Sequence, residues 1–533
     1  MNTGFRLLAT FAAVTAIVLA STANLRSRAA QTNHLLAPSS YIVQAPSVSE
    51  GLAAVVRAGG KVTHELGIID AVAAQLTPAQ AAVLRADSRL TLSLNEKAKV
   101  AGVGVSPWYT TKQTLATSLH AMGITGKGVS IAFVDTGLWA TPLAGYDAIR
   151  NVETTSLPDD NGHGTHITSI AASANKGVDG GYLGIAPGAS WITVKAFDAN
   201  GQGTYANTIR GLDWILANKI KYNIRIVNMS FGAAPQSFYW NDPLARAVMK
   251  LWQAGIVVVA AAGNSGPTAQ TITVPGNVPY VVTVGAMTDN YTPFNPFDDR
   301  LASFSGTGPT YEGFVKPDLV APGGHVTGVM TWKQAIPRAH QQFHDGGNYF
   351  TMSGTSQSAA VVSGIVALML EVQPNLTPNQ IKCKLMSSAR PAVDAYNKLA
   401  YTVFQQGAGQ VNAFAAVFRP DTGCANVGLD IAADLAGSKH YGGPARQKTD
   451  GSFLLVDAAG NAISQQGYLW NNGYLWNNGY LWNNGYLWSN GYLWSNGYLW
   501  SNANLWNNGY LWSNSAVASI TSSAAIENWV EQE

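Results

Sequence analysis

The chain has 533 residues, of which 47% are apolar and only 12% are charged, whereas about a quarter are charged in a typical soluble protein. This length predicts more than one domain and allows a large buried core. The net charge of +2 points neither to a nucleic-acid partner nor to an acidic membrane surface.

The first 23 residues have the pattern of a secretory signal peptide. Arg6 precedes an apolar run, Leu7–Ala20, and the small residues Ser21-Thr22-Ala23 follow it. A membrane anchor is the alternative, but the run is shorter than the roughly 20 residues that span a bilayer. We therefore expect a secreted protein, extracellular or associated with the cell surface, with no membrane span after signal removal.

Residues 40–100 are predicted to form a small α+β unit. Tyr41-Ile42-Val43 reads as a strand, Ser49–Ala58 as an amphipathic helix, and Thr77 as the cap of a second helix. The stretch from Lys97 to Trp108 is rich in Gly, Ala and Val, and we interpret it as a cleavable linker.

Residues 106–418 are predicted to be an α/β domain with a mostly parallel sheet and helices on both faces. Its strands are continuously apolar, which indicates burial on both faces. They are Ser130–Val134, Ile192–Val194, Ile224–Val227 and Ile256–Ala262. Side chains that follow such strands meet at the carboxyl edge of the sheet, where active sites of this class lie.

Asp135 and Asn264 each follow one of these apolar strands. Either could simply turn the chain, because Asp and Asn favour turns. His163 lies between two glycines in Gly162-His163-Gly164-Thr165-His166. Two histidines three residues apart could ligate a metal, but the glutamate of a His-Glu-x-x-His site is missing, so we leave the metal unassigned.

Ser356 lies in Gly354-Thr355-Ser356, before the apolar segment Ile365–Leu370. This pattern predicts a tight turn that enters a buried helix. At a helix N-terminus, unpaired N–H groups favour the negative charge that develops when a serine attacks a carbonyl. The alternative is that Ser356 only caps the helix.

Together these segments resemble the subtilisin-like serine peptidases, the subtilases. The matching segments are Ile131–Gly137, His163–His166, Gly184–Ala189, Asn228–Gly232, Ala260–Gly266, Ser303–Ser305, Lys316–Gly323 and Gly354–Ser356. The order Asp, His, Ser is that of subtilisin. In place of the family's usual Met, Ala and Pro after the serine, this chain has Gln357, Ser358 and Ala360.

The resemblance implies that Ser356 is the nucleophile, His163 the general base and Asp135 its orienting carboxylate. It places Asn264 in the oxyanion hole and assigns His166 a structural role. An extended protein or peptide substrate would pair with Gly201–Gly203 and Ser230–Gly232. The implied substrate-binding residues are Gly201, Gly203, Ser230, Phe231, Gly232 and Ala262. The first specificity pocket would be lined by Ser230–Gly232, Ala260–Ala262, Ser265 and Thr273–Gly276. Because none of these residues is charged, we expect a neutral or apolar residue before the scissile bond.

The resemblance also implies that residues 40–100 are an inhibitory prodomain, so that the enzyme is a zymogen cut near residues 100–108. The chemistry requires no cofactor. The loop Ala174–Tyr182 lies where many relatives bind structural calcium, and it offers Asn175 and Asp179. A calcium ion there is an alternative that the sequence leaves open.

Cys383 and Cys424 are the two cysteines of the chain. In an exported protein such a pair can form a disulfide, and free buried thiols are the alternative. The bridge would close a loop of 41 residues, worth ~4 kcal/mol in the chain-entropy model.

The α/β pattern ends near Phe418, and a C-terminal extension, 419–466, leads to repeats at 467–514 and a polar end at 515–533. The repeats are eight hexapeptides of the form Gly-Tyr-Leu-Trp-Asn/Ser-Asn, one of them variant at Ala503. They could bind a glycan or another surface ligand, or they could be a low-complexity tail without a ligand.

The leading hypothesis is a secreted serine endopeptidase that matures by self-cleavage. A catalytically silent protein that presents the Trp repeats is an alternative from another class. A processing peptidase with one dedicated substrate is a narrower alternative that the sequence does not separate from a degradative enzyme.

Overall fold

A computed structural model describes residues 38–95, 97–99, 109–138, 140–177, 179–292, 295, 298–394, 399–457, 460–463, 478–479 and 486–488. The chain forms two compact units, the first ending at Asn95 and the second beginning at Glu96. The predicted signal peptide and the polar end lie outside the described residues. Within the repeats, Asn478–Gly479 and Tyr486–Trp488 pair as two short antiparallel strands.

The first unit is a four-stranded antiparallel sheet with two helices, as the sequence predicts. Its elements are β1 Ser39–Gln44, α1 Val48–Arg57, β2 Lys61–Leu66, β3 Ala71–Leu76, α2 Pro78–Arg85 and β4 Thr91–Leu94. The strand order in the sheet is β2-β3-β1-β4. Thr77 caps the second helix, because its hydroxyl accepts the Gln80 N–H and the Gln80 side chain accepts the Thr77 N–H.

The second unit is built on a nine-stranded, mostly parallel sheet. Its strands are β6 Ser130–Asp135, β7 Ala144–Asp147, β8 Val152–Glu153, β9 Ser190–Lys195, β11 Ile224–Met229, β12 Val257–Ala261, β13 Val282–Thr288, β14 Arg300–Leu301 and β15 Leu319–Pro322. Across the sheet the strand order is β14-β13-β12-β11-β6-β9-β7-β8, and β15 pairs with β13. Every residue of β6, β12 and β13 is buried. Since alternate residues face opposite sides of a sheet, both faces are covered, as predicted.

Two pairs of helices supply much of this cover. The helices of this unit are α3 Thr110–Gln113, α4 Ala116–Ala121, α5 His163–Ala172, α6 Tyr205–Asn218, α7 Pro243–Gln253, α8 Ala335–Ala339, α9 Thr355–Val372, α10 Pro378–Ser388, α11 Val403–Gln406, α12 Ala413–Phe418 and α13 Ile431–Leu435. The two pairs are α5 on α9 and α6 on α7. Among the described residues, α9 alone has the length and apolar composition of a membrane span, and nearly all of it is buried in the core.

The remaining strands lie outside the main sheet. They are β5 Lys97–Lys99, β10 Gln202–Thr204, β16 Val326–Val329, β17 Tyr349–Met352, β18 Ala445–Gln447, β19 Phe453–Val456 and β20 Ala462–Ile463. Strand β5 pairs antiparallel with β10. The predicted linker from Lys97 to Trp108 thus begins with three residues whose backbone groups pair with another strand, and its cleavage stays a prediction.

The C-terminal extension has structure of its own, which the sequence pattern did not reveal. Helix α13 packs on α7, and strands β18, β19 and β20 form a small antiparallel sheet. Cys383 and Cys424 form the disulfide that the sequence favours, with their Cα atoms 5.0 Å apart. The extension thus belongs to the same compact unit as the main sheet.

Candidate active site

Asp135 is the last residue of β6, at the carboxyl edge of the sheet, and its side chain is only 1% exposed. Its Oδ1 accepts a hydrogen bond from the Thr136 N–H at 2.8 Å. A buried carboxylate needs such donors, because desolvation disfavours its charge.

His163 opens helix α5 and is fully buried. Its Nδ1 lies 2.8 Å from Asp135 Oδ1 and 3.0 Å from Asp135 Oδ2. Since a carboxylate only accepts hydrogen bonds, Nδ1 carries the proton and Nε2 is left as the basic nitrogen. The Asp135–His163 pair, which we call the dyad, therefore presents the tautomer that a general base requires.

Ser356 follows the glycine turn that links β17 to α9, and it is 2% exposed. Its Oγ donates to the Ser230 carbonyl oxygen at 2.9 Å. Among the described residues, His163 Nε2 has no hydrogen-bond partner. The serine–imidazole hydrogen bond that the predicted roles imply is thus not formed in this structure, in keeping with the long catalytic contacts of many unliganded enzymes.

Ser230 bonds to the main chain of Ser356 as well as to its hydroxyl. The Ser230 hydroxyl donates to the Ser356 carbonyl at 2.8 Å and accepts from Asn228 Nδ2 at 2.8 Å. Asn228 Oδ1 in turn accepts from the Ser363 hydroxyl on α9 at 2.9 Å. The end of β11 and the start of α9 are therefore tied together through buried polar groups.

Asn264 lies beyond β12, next to the turn that carries Ser356. Its side-chain oxygen accepts from the Thr355 N–H at 2.9 Å and from the Thr355 hydroxyl at 2.8 Å. These bonds engage the acceptor end of the amide, and the Nδ2 end keeps the donors that an oxyanion needs.

The predicted substrate-binding residues lie on three segments of this unit. Gly203 is in β10 and Gly201 directly precedes it, while Ser230, Phe231 and Gly232 follow β11. Gly232 is packed so tightly that an added Cβ would lie 2.3 Å from Thr273 Oγ1. Ala262 directly follows β12 and is buried.

His166, the second histidine of the motif, packs inside the protein. Its Nε2 lies 3.0 Å from the Phe350 carbonyl oxygen and its Nδ1 lies 3.5 Å from Gln357 Nε2. Burial lowers the pKa of His166 from 6.5 to about 3, so the ring stays neutral. These contacts agree with the structural role that the resemblance implies.

The loop considered for calcium contains an ion pair. Lys112 Nζ lies 2.7 Å from Asp179 Oδ2, so an ammonium group occupies a carboxylate oxygen that a calcium ion would need. Among the described residues, no group of three or more His, Cys, Asp or Glu side chains has the arrangement of a metal site.

Two charged residues beside the dyad were not singled out from the sequence. Asp159 and Lys195 are 6% and 5% exposed, and both hydrogen-bond to the segments that carry Asp135 and His163. The two consecutive aspartates, Asp159 and Asp160, just before His163 could have pointed to Asp159. Lys195 lies at the carboxyl end of β9, and site residues gather at that edge of the sheet, which could have pointed to Lys195.

An aspartate-oriented imidazole and a serine at a helix N-terminus, at the carboxyl edge of a parallel sheet, define a serine hydrolase of the α/β class. The model of the subtilase family, Peptidase S8, matches residues 126–410. The chain belongs to the subtilase family and is a subtilisin-like serine peptidase, which cleaves peptide bonds through a catalytic triad.

Two curated relatives of the chain are proteases from Bacillus subtilis. Serine protease AprX from Bacillus subtilis is 41% identical over 304 residues, which are 54% of this chain and 66% of AprX. Subtilisin E from Bacillus subtilis is 31% identical over 342 residues, 62% of this chain and 78% of that protein. The chain thus spans about two thirds of the length of AprX.

A solved structure shares the fold. It is fervidolysin from Fervidobacterium pennivorans, described as a keratinolytic enzyme related to subtilisin. The TM-score is 0.58 at 21% sequence identity, with 80% of this chain and 65% of fervidolysin covered. At this identity the likeness concerns the fold alone.

Proposed function

We propose that this chain is a secreted endopeptidase in which Asp135, His163 and Ser356 are the triad. Ser356 Oγ attacks the scissile carbonyl, and His163 Nε2 takes its proton and later gives it to the leaving amine. Asn264 and the Ser356 N–H hold the oxyanion. The observation that carries the proposal is the buried, two-oxygen contact between Asp135 and His163 Nδ1, which leaves Nε2 basic.

The proposed substrate is an extended peptide or protein segment with a neutral or apolar residue before the scissile bond. Strand β10 supports this, because it already pairs antiparallel with Lys97–Lys99 along Gln202–Thr204. An edge that accepts one extended segment has the backbone donors and acceptors to bind another.

The same pairing supports a zymogen. Lys97–Lys99 occupy the β10 edge that we assign to substrate, and they lie just before the predicted cleavage region, residues 100–108. The chain before the cut would then block substrate until it is released. We propose that residues 40–100 act as this inhibitory prodomain and that the enzyme cuts itself.

Secretion is supported by the signal pattern of residues 1–23 and by the Cys383–Cys424 disulfide, a bond typical of exported proteins. The proposed chemistry uses no cofactor, because side chains supply the nucleophile, the base and an oxyanion donor.

The test uses a serine-directed fluorophosphonate probe on the purified full chain, beside a Ser356→Ala variant. We expect the probe to label wild-type Ser356, and mass analysis to find wild type cut within residues 100–108. The variant should stay whole and unlabelled, with a loss of kcat on the order of 10⁶-fold. The Ser358→Ala variant, which alters a neighbouring serine whose hydroxyl binds the Ala321 carbonyl, is the matched control for labelling.

Two results would contradict the proposal. A folded wild-type chain that is neither labelled nor cleaved would favour the silent binding protein. Labelling with a marked preference for Lys or Arg before the scissile bond would keep the enzyme but overturn the predicted specificity.

A further inference from the structure

The two segments that carry the dyad approach each other as closely as backbones can. A Cβ added to Gly164 would lie 2.3 Å from the Gly137 carbonyl oxygen. A Cβ added to Gly137 would lie 2.7 Å from the Pro158 carbonyl oxygen. The Asp135–His163 distance therefore depends on whatever holds these two segments together.

Asp159 joins the segments from one side. Its Oδ1 accepts from the Thr136 hydroxyl at 2.8 Å and from the Gly162 N–H at 2.8 Å. Its Oδ2 accepts from the Thr165 N–H at 2.7 Å. Because the N-cap, Gly162, has no side chain, Asp159 caps helix α5 in its place and ties it to the residue after Asp135.

Thr136 completes this contact. Its hydroxyl oxygen accepts from the Gly164 N–H at 2.9 Å while its proton goes to Asp159. One hydroxyl next to Asp135 thus bonds both to the residue after His163 and to the carboxylate that caps the helix.

Lys195 joins the same segments through their carbonyl groups. Its Nζ donates to the Thr136 oxygen at 2.5 Å and to the Pro158 oxygen at 2.8 Å, and it lies 3.4 Å from Asp160 Oδ2. Lys195 is the last residue of β9 and is directly opposite Asp135 in the parallel β6–β9 register. A buried cation is costly unless such acceptors hold it.

We propose that Thr136, Asp159 and Lys195 form a bracket that positions the dyad, and that the two opposite charges of the bracket set the pH at which the base works. The proposal rests on the proposed roles of Asp135 and His163. Removing the negative charge should disfavour protonated His163, and removing the positive charge should favour it. A purely structural role predicts lost activity without this opposition of sign.

Other charged and titratable groups near His163 stay the same in both variants, so they do not produce opposite shifts. They include Asp135 of β6, which contacts His163 Nδ1, and His166 of α5 itself, which interacts electrostatically with His163. Asp160 of the preceding loop lies 3.4 Å from Lys195 Nζ. Helix α9 brings the uncharged side chains of Ser356 and Gln357 to this region.

The test measures kcat and KM from pH 5 to 9 for Asp159→Asn and Lys195→Met, with active sites titrated by the fluorophosphonate. We expect both variants to lose roughly 10–100-fold in kcat with KM within about twofold, because misplaced reacting groups slow chemistry. The pH of half-maximal kcat/KM on the acid side should fall in Asp159→Asn and rise in Lys195→Met, by roughly 0.3–1 pH unit each.

Three further variants guard against misfolding and general charge effects. Thr136→Ser keeps the hydroxyl and should retain most of kcat. Thr136→Val removes the hydroxyl and should lose most of kcat, without moving the acid limb, which is the pH of half-maximal kcat/KM on the acid side. Lys221→Met removes an exposed cation paired with Glu153, and it should leave both the rate and the acid limb unchanged.

Acid limbs that move in the same direction, or not at all, in folded and active variants would overturn the bracket. If Asp159→Asn or Lys195→Met fails to fold, equal kcat values in Thr136→Ser and Thr136→Val would overturn the bracket instead. A folded wild-type chain without labelling or activity is a different failure, that of the proposed triad, and the bracket would fall with it.

Discussion

The two halves of the candidate active site differ in how their polar atoms are satisfied. On the dyad side, the Asp135 and Asp159 carboxylates receive donors from Thr136, His163, Gly162 and Thr165. On the nucleophile side, within the described part of the chain, His163 Nε2 and Gln357 Oε1 are buried without a hydrogen-bond partner.

This difference separates positioning from reaction. Groups that must stay in place have every strong acceptor engaged, which holds them rigidly. In the proposed mechanism His163 Nε2 accepts a proton, and it has no hydrogen-bond partner among the described residues. The Ser356 hydroxyl, which would supply the proton, donates to the Ser230 carbonyl. An unsatisfied buried polar atom is costly, so its presence in a site points to use by a substrate or intermediate.

The largest effect in this comparison is expected at Asn264. Asn264→Ala removes an oxyanion donor and should lower kcat by ~10²–10³ with little change in KM, the loss for which subtilisin is the standard example. Steady-state kinetics on a neutral peptide substrate at pH 8 measures it. Thr355→Val removes the hydroxyl that bonds to Asn264 Oδ1 and to the Gly263 N–H, but keeps the Thr355 N–H bond to Asn264. It should cost less than about tenfold, so equal losses would assign Asn264 a structural role.

A smaller effect, on the free energy of unfolding, is expected at Glu312, a buried residue to which we assign no role in catalysis. Its Oε1 accepts from the Tyr239 N–H at 2.8 Å, but its Oε2 is buried without a partner among the described residues. Burial raises the pKa of Glu312 from 4.5 to about 7. Because the folded state favours the neutral carboxyl, the stability it contributes is present below pH 4.5 and is lost as pH rises through 7.

Glu312→Gln does not titrate, so its stability relative to the parent should rise between pH 4.5 and 7 and then level off, by up to about 3 kcal/mol. Urea unfolding at pH 4.5, 6 and 9 measures this, with Ser356→Ala as the parent to prevent self-digestion. A Gln236→Glu variant at an exposed position nearby is the control for added charge. A stability difference that stays constant with pH would show that burial does not raise this pKa.

The smallest effect is expected at Gln357, where the family usually has methionine. Gln357→Met removes the unsatisfied Oε1 but also removes the 3.5 Å contact from Nε2 to His166 Nδ1, leaving that nitrogen without its donor. These two changes oppose each other, so the unfolding free energy should change by less than about 1 kcal/mol. Gln357→Ala, which also leaves a cavity, should cost more. A loss above 2 kcal/mol in the Met variant would mean that the contact to His166 is strong.

Much of the site could be read from the chain because it consists of local signals. The apolar strands predict Asp135 and Asn264 at strand ends, and the small-residue turn predicts Ser356 at the start of a buried helix. These signals depend on a few consecutive residues, so no knowledge of distant neighbours is needed.

The bracket depends on distant neighbours. Lys195 lies 59 positions from Thr136 and 37 from Pro158 in the sequence, yet it contacts both. A lysine or an aspartate is most often an exposed, solvated residue, so nothing local marks Lys195 or Asp159 as buried. The helix and the small sheet of the C-terminal extension were not predicted for a similar reason, since such short elements are stabilised by packing on the rest of the second unit.

The sequence by itself determined which residue types are available for the chemistry and at which strand and helix ends they lie. Only the tertiary structure decided that Nδ1 of His163 meets both oxygens of Asp135, that Ser356 Oγ rests on Ser230, and that opposite charges flank the dyad. The physical reason is that backbone patterns act over a few residues. Hydrogen bonds and buried charges, in contrast, act between atoms that the folded sheet brings within about 3 Å.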